Sequence, residues 1–169
     1  MMQLFSLVLL LGGLLGSTPG CAQPANPTTG QPGPLTAEVL HSTNQCGLAA
    51  SQPTATWIDN PQSLAQIYQG FPVLPRIQPP VVDFSRSGVL LIGMGQRPTA
   101  GYSLSLAEDS PQLKGDTLEI RVDWQEPIPG RLQAQVITTP CLLLKIPTVA
   151  FRQVRIIDQT GQVRVSASR

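Results

Sequence analysis

The sequence is poor in charged and in aromatic residues. Charged side chains make up 12% of its 169 residues and aromatic side chains 5%, whereas an average globular domain is about 25% charged. A net charge of +1 produces no field that would attract nucleic acid, so no nucleic-acid partner is expected. The 17 prolines exclude a long helical bundle, because each interior proline removes a hydrogen bond and clashes with the preceding turn. The composition therefore predicts a small, turn-rich, mainly β protein.

Residue types that carry catalysis or bind metals are also scarce. His41 is the only histidine, and no G-x-S-x-G sequence presents a nucleophile, so we interpret His41 as a surface or strand-end residue. No Cys-x-x-Cys and no histidine pair indicate a metal site. Pro98 follows Gly93-Met-Gly95 and prevents the helix that a dinucleotide site needs. The sequence predicts neither an enzyme nor a protein with a metal or another cofactor.

The first 37 residues contain no charged side chain. Residues 4–15 form an apolar run that is shorter than the roughly 20 residues of a membrane span and is typical of a signal peptide. Small residues and then Cys21 follow this run, which favours a bacterial lipoprotein with Cys21 diacylated. In an envelope with two membranes, the resemblance to bacterial lipoproteins implies that Ala22 after the cysteine, in place of aspartate, suits anchoring at the periplasmic side of the outer membrane. The alternative is ordinary cleavage after Ala22, which would release a soluble periplasmic protein.

Either route leaves one pair of cysteines, Cys46 and Cys141. An even pair in an oxidising compartment predicts a disulfide between them. The sequence thus divides into a signal peptide with a candidate lipobox at residues 1–21, a disordered Pro/Gly linker at 22–37 and one β-domain at 38–165.

The secondary structure predicted for the domain is one short helix and several strands. Asn60 is a suitable N-cap, Pro61 suits the first helical position and Gly70 ends the predicted helix at residues 61–69. Apolar runs predict strands at residues 88–94, 102–107, 117–124, 132–137, 141–146, 154–157 and 162–165, the last two as a hairpin. In the strand at 117–124, Glu119, Arg121 and Asp123 are expected to face water. This pattern predicts a compact antiparallel β-sandwich or a small barrel.

A distinctive motif, Gly95-Gln-Arg-Pro-Thr-Ala-Gly-Tyr102, separates two predicted strands by the length of a hairpin loop. Pro98 restricts the loop, Gly101 permits positive φ, and Thr99 can bond to the loop backbone. Tyr102 is a residue type enriched where proteins bind proteins, although it would pack into the core if the loop were a plain turn. The predicted partner-binding residues are Arg97, Pro98, Thr99, Gly101 and Tyr102.

Several short motifs follow one another in a consistent order and spacing. They are NPQSLAQIY at 60–68, VDFS at 82–85, GQRPTAGY at 95–102, PG at 129–130, QVITTP at 135–140 and KIP at 145–147. Through them, residues 52–165 resemble the PrcB C-terminal domain family, which is named for an accessory lipoprotein of a bacterial surface protease complex. The sequence departs from this family at Ala100, where a second glycine is common, and at Cys141, where residues such as tyrosine occur. The resemblance implies a non-enzymatic envelope protein that binds and stabilises a partner, with a protease as the implied partner.

Two other functions stay open. The loop at 95–102 is similar to the Asn-Pro-Thr-Thr-Gly-Tyr loop of chagasin-type cysteine-protease inhibitors, which implies direct inhibition, but the second inhibitor loop, Arg-Pro-Trp, is absent. A small envelope enzyme or ligand carrier would instead use a pocket of the β-domain. The lack of histidine, cysteine and acid clusters favours the binding protein over the enzyme or carrier.

Overall fold

The computed structural model describes residues 35–72, 77–108 and 111–169. These residues form nine strands and one helix: β1 Glu38–Thr43, β2 Thr54–Ile58, α1 Pro61–Gln69, β3 Ser87–Gly93, β4 Ser103–Leu106, β5 Gln112–Lys114, β6 Thr117–Gln125, β7 Cys141–Pro147, β8 Gln153–Ile157 and β9 Val163–Ser168. The predictions for the signal peptide, for Cys21 and for the linker up to residue 34 lie outside the described residues. At the end of that linker, Leu35 and Ala37 pack against the core.

The helix α1 is confirmed with the bounds that the sequence predicts. The side-chain oxygen of Asn60 accepts a hydrogen bond from the Ser63 N–H at 2.8 Å, which satisfies one free donor of the first turn. Gly70 ends the helix, and its N–H donates to the carbonyls of Gln66 and Ile67. Leu64 is buried on the side of the helix that faces the sheet. Among the described residues, no helix combines the length and the apolar character needed to cross a membrane.

The first of two sheets has the strand order β1-β7-β3-β2, with every pair antiparallel. Its central strands β3 and β7 are buried along nearly their whole length, because both faces of this sheet are covered. One face packs on the second sheet and the other on α1, with Leu144 and Leu143 as examples of the two sides. This double covering explains why the sequences of β3 and β7 are continuous apolar runs rather than alternating ones.

The second sheet has the order β4-β6-β8-β9, and β5 also pairs with β6. The mainly β fold is confirmed, but the two sheets form no closed barrel, so the barrel alternative is wrong. The arrangement is largely antiparallel, as predicted, with one parallel pair of strands, β6 with β8. Between β6 and β8 the chain passes through β7 in the first sheet. This path is the crossover connection that a parallel pair of strands requires.

Two local predictions also fail. Residues 132–137 contain no strand, because none of the nine described strands pairs with them. Glu119 does not face water but is buried, with its carboxylate 2.5 Å from the Lys114 ammonium. Strand β5, which the sequence analysis did not predict, places Lys114 there. Strands β1 and β2 were likewise not predicted, whereas the hairpin of β8 and β9 is confirmed.

Candidate functional site

Three connecting segments meet at one end of the first sheet. This end is marked by a row of paired residues, Thr43 with Cys141, Cys141 with Gly93, and Gly93 with Thr54. The segments that extend from these strand ends are residues 44–52, 95–102 and 127–138. We call the surface made by these three segments the loop face. It contains all five residues that the sequence predicts for partner binding.

The segment at 95–102 connects the two sheets, because β3 belongs to the first sheet and β4 to the second. A loop of hairpin length, seven residues or fewer, was expected, whereas nine residues, 94–102, separate β3 from β4, and these two strands do not form a hairpin. Gly95 has φ +80°, and a Cβ there would lie 2.8 Å from the carbonyl oxygen of Gln52. Gly101 has φ +93°, in the left-handed region that the sequence predicted for it. Both glycines are thus needed for the path of this segment between its neighbours.

Hydrogen bonds join this segment to residues 127–138. Arg97 and Thr138 exchange two backbone bonds of 2.8 and 2.9 Å, and the Ala100 N–H donates to the Ala134 carbonyl at 3.0 Å. The Thr138 hydroxyl also donates to the Thr99 carbonyl at 3.1 Å. The sequence suggested that the Thr99 hydroxyl would fix the loop, whereas the structure shows the hydroxyl of Thr138 in that role.

The predicted disulfide between Cys46 and Cys141 is present, with the two Cα atoms 5.8 Å apart. Both cysteines are buried. Beside the disulfide, Thr139 accepts hydrogen bonds from the Cys46 N–H at its carbonyl and at its hydroxyl oxygen, at 3.0 and 2.9 Å. The Gln45 side chain donates to the Ile137 carbonyl at 3.2 Å. The segment at 44–52 is therefore attached covalently and by hydrogen bonds to the strand end that follows residues 127–138.

Arg97 and Tyr102 form a stacked pair within the loop face. The guanidinium carbon lies 5.5 Å from the centre of the Tyr102 ring, which is within the range of a cation–π contact. One guanidinium nitrogen donates to the Met94 carbonyl at 2.7 Å. Tyr102 is half-buried and packs partly against the core between the sheets. One side of the Tyr102 ring thus packs against the core, and the other side lies under Arg97.

The loop face exposes large apolar side chains that the sequence analysis did not assign to a site. Leu132 is fully exposed at 102%, and Ile137 is 65% exposed. Ile128 and Val136 are also exposed. The available signal was the Pro127-Ile-Pro-Gly130 sequence, which marks a loop and thereby places the apolar residues next to it in an irregular segment.

The loop face carries little charge. Its three segments contain two charged residues, Arg97 and Arg131, and both are positive. Glu126, just before the third segment, is paired with Arg164 at 3.3 Å and also accepts a bond from the Trp124 indole N–H at 3.1 Å. This distribution leaves the exposed apolar residues without acidic neighbours in the loop face.

The turn between β8 and β9 lies next to the loop face and is built around a buried carboxylate. Asp158 is 1% exposed and accepts bonds of 2.7 to 3.0 Å from the Thr160 N–H and hydroxyl, the Gln162 N–H and the Arg164 guanidinium. Burial alone would raise the pKa of Asp158, but these hydrogen bonds outweigh it and lower the pKa from 3.8 to about 2. The side chain of Gln159 bonds to both the N–H and the carbonyl of Trp124.

Other candidate positions lie away from the loop face. His41, interpreted as a surface or strand-end residue, lies within β1 and stacks on Phe71 with ring centres 4.8 Å apart. Burial lowers the pKa of His41 below its usual value. A surface depression of about 320 Å³ beside the opposite end of the first sheet is lined by Asp83, Arg86, Ser87, Lys145 and Pro147. In the described part of the chain, no group of three or more histidine, cysteine or acidic residues is placed to hold a metal ion.

Comparison with known families matches residues 89–147 to the model described as PrcB C-terminal. This segment is a PrcB C-terminal domain. The resemblance that the sequence analysis identified is therefore confirmed for these residues. The PrcB C-terminal domain extends from within β3 to the last residue of β7, and it includes two of the three segments of the loop face. No curated protein and no solved structure matches the chain.

Proposed function

We propose that this chain is a non-enzymatic lipoprotein of the bacterial envelope whose PrcB C-terminal domain binds and stabilises another envelope protein. The partner class implied by the family resemblance is a surface protease. The proposal is carried by one observation: the loop face combines exposed apolar side chains, few charges and a backbone fixed by hydrogen bonds. The binding residues are those predicted from the sequence, Arg97, Pro98, Thr99, Gly101 and Tyr102, together with the exposed apolar residues beside them.

The composition of the loop face suits protein binding. The centres of protein interfaces are depleted of charge, whereas tyrosine and arginine are enriched there. Arg97 and Tyr102 supply these two residue types as a stacked pair. An exposed leucine such as Leu132 loses contact with water when a partner covers it, which favours association.

The rigidity of the loop face also favours binding. The segment at 95–102 is bonded to both of its neighbours, through Gln96 to the Ala50 carbonyl and through Arg97 to Thr138. A segment held in one conformation loses little entropy when a partner binds it, so more of the contact energy appears as affinity.

The position of the loop face suits a protein attached at its N-terminus. The described chain enters the first sheet at Glu38, which pairs with Lys145 at the end of the sheet opposite to Thr43 and Cys141. A six-residue strand spans about 20 Å. A lipid anchor at Cys21 would therefore connect to the end of the sheet that is away from the loop face, and leave this face accessible to a partner.

The proposal is tested by replacing Tyr102 with alanine. A partner recovered from membrane extract with the wild-type protein is purified, and its affinity for the variant is measured together with the melting temperature of the variant. We expect Tyr102→Ala to weaken binding by at least about thirtyfold, the effect of removing an interface anchor. Thr99→Ala probes the same loop without removing a ring.

The control for this test is Val81→Ser, which changes a fully exposed residue outside the loop face and should leave both quantities unchanged. If Tyr102→Ala lowers only the melting temperature and Thr99→Ala binds like the wild type, the loop is a structural turn. Recovery of a small molecule instead of a protein would support the ligand-carrier alternative.

Lipidation is tested separately. A fatty-acid analogue fed to expressing cells should label the wild-type protein and should not label Cys21→Ser, because the thiol of Cys21 is the proposed attachment site. Equal release of both proteins into the soluble periplasmic fraction would contradict the anchor and support ordinary secretion.

A further inference from the structure

Residues 132–137 have the sequence of a strand but no strand partner. Apolar and polar residues alternate from Leu132 through Val136, as in a strand. The Val136 N–H donates to the Ala134 carbonyl at 3.0 Å, which forms a three-residue turn centred on Gln135. Apart from this turn at Gln135 the segment has no sharp bend from 132 to 137, and its side chains at 132, 136 and 137 are exposed.

The backbone of this segment has unused hydrogen-bonding groups. On one side, the Ala134 carbonyl accepts a bond from Ala100, and Thr138 pairs with Arg97. In the described part of the chain, the N–H groups of Leu132, Gln133 and Gln135 have no acceptor. An extended segment with free N–H and C=O groups is a template on which another extended chain can pair.

The charge of the surroundings indicates the character of such a chain. Arg131 directly precedes the segment and is exposed, and no carboxylate of the described residues pairs with it. Arg97 pairs with Thr138, just after the other end of the segment, and likewise has no carboxylate partner among the described residues. A peptide that carries an acidic residue would complement these two positive charges.

We propose that residues 132–137 bind an extended segment of another protein by strand addition. This proposal rests on the function proposed above. The bound segment pairs with the free backbone N–H groups, presents apolar side chains at alternate positions to Leu132 and Val136, and carries a carboxylate that reaches Arg131. The linker of this chain does not suit this place, because its four prolines lack N–H groups and it carries no acidic residue. A second copy of this chain does not suit this place either, because it would bring its own Arg131 and Arg97 close to those of the first copy.

The probe is a phage-displayed library of random peptides of about ten residues, longer than a typical strand of five or six, selected on the full-length protein. We expect the enriched peptides to contain alternating apolar residues and at least one acidic residue. Binding of such a peptide should slow hydrogen exchange of the N–H groups in residues 132–137. Absence of enriched peptides, or protection that lies only elsewhere in the chain, would overturn the proposal.

The decisive variant is Gln135→Pro, which removes one free N–H. Gln135 is the central residue of the three-residue turn, whose common form has φ near about −75°, an angle that proline adopts. We therefore expect an unchanged melting temperature and about tenfold weaker peptide binding, the effect of leaving one acceptor of the peptide unpaired. Gln135→Ala is the matched control, since it shortens the side chain but keeps the N–H, and should bind like the wild type.

Three further outcomes show whether strand addition or the proposed function of the loop at 95–102 has failed. Equal losses for Gln135→Ala and Gln135→Pro would mean side-chain recognition and would overturn strand addition. A concentration-dependent dimer with protected residues 132–137 would replace the foreign segment by a second copy and would overturn it as well. If Gln135→Pro weakens peptide binding while Tyr102→Ala leaves capture of the envelope partner unchanged, strand addition stands and the function proposed for the loop at 95–102 fails.

Discussion

Two connections at the same end of the second sheet differ in how they use their polar groups. The turn after β8 is held by Asp158, which accepts bonds from the residues that follow it and from Arg164. The connection after β6, residues 126–140, has exposed apolar side chains and N–H groups that find no acceptor among the described residues. The first connection satisfies its groups internally and therefore stabilises the fold. The second leaves groups available, which is the arrangement that the proposed binding requires.

The connection after β6 is nevertheless fixed at both of its ends. At its start, Glu126 bonds to Trp124 and Arg164, which joins it to the residues of the Asp158 turn. At its end, Cys141 is covalently bonded to Cys46. The exposed part between these points therefore has a defined position even though much of its own backbone is unpaired.

The largest expected effect on stability comes from removing the disulfide. The connection after β6 would then lose its covalent attachment and would be held less firmly than the Asp158 turn. The double variant Cys46→Ala/Cys141→Ala should lower the free energy of unfolding by about 4 kcal/mol, since the bond closes a long loop in the unfolded chain. Urea unfolding measures this loss. Hydrogen exchange should also become faster at residues 137–141 but not in the Asp158 turn. A loss below about 1 kcal/mol would contradict the stabilising role of the disulfide.

A smaller effect is expected from Asp158→Asn, which removes the charge that orders the other connection. The variant should lose about 2 kcal/mol of unfolding free energy, because hydrogen bonds to a charged group contribute about that much. In the wild type, the lowered pKa of Asp158 adds stability that is complete above the unfolded value of 3.8 and is lost as the pH falls toward about 2. Unfolding followed between pH 5 and about 2 should show this decline in the wild type and a weaker one in the variant.

Two substitutions serve as controls for Asp158→Asn. Asp123→Asn changes an exposed carboxylate whose contact with the Ser105 hydroxyl is long, at 3.4 Å. Leu132→Ser changes the fully exposed residue of the connection after β6. Both should alter the unfolding free energy by less than about 0.5 kcal/mol. A larger loss for Leu132→Ser would show that this connection supports the fold in the same way as the Asp158 turn.

The sequence predicted the elements whose signals are local. The helix α1 follows from Asn60, Pro61 and Gly70, and the buried strands β3 and β7 follow from continuous apolar runs. Strand β1 was not predicted, because a register shift between Val39 and His41 interrupts its pattern. The parallel pairing of β6 with β8 depends on a strand of the other sheet, so no local pattern indicates it.

The candidate site was predicted only in part for the same reason. Residues 97–102 carry their own signals in proline, glycine and tyrosine. The contacts that join them to Thr138 and to Ala50 connect segments far apart in the sequence. The alternation at 132–136 predicted a strand, but whether a partner strand lies beside these residues is decided by the tertiary structure. The prediction of a strand there was wrong.

The position of the disulfide has a mechanical consequence. A pull through the proposed N-terminal anchor would act on the described chain at Glu38 and would peel β1 from β7 one residue pair at a time, from Lys145 towards Cys141. Beyond the last pair, Thr43 with Cys141, the pulled chain reaches Cys46, and the Cys46–Cys141 disulfide would then carry the load. The peeled segment, from Leu35 to Cys46, would extend by at most about 40 Å. If the proposed anchor is present, the disulfide would act as a stop that protects the remaining strands and the loop face from tension in the tether.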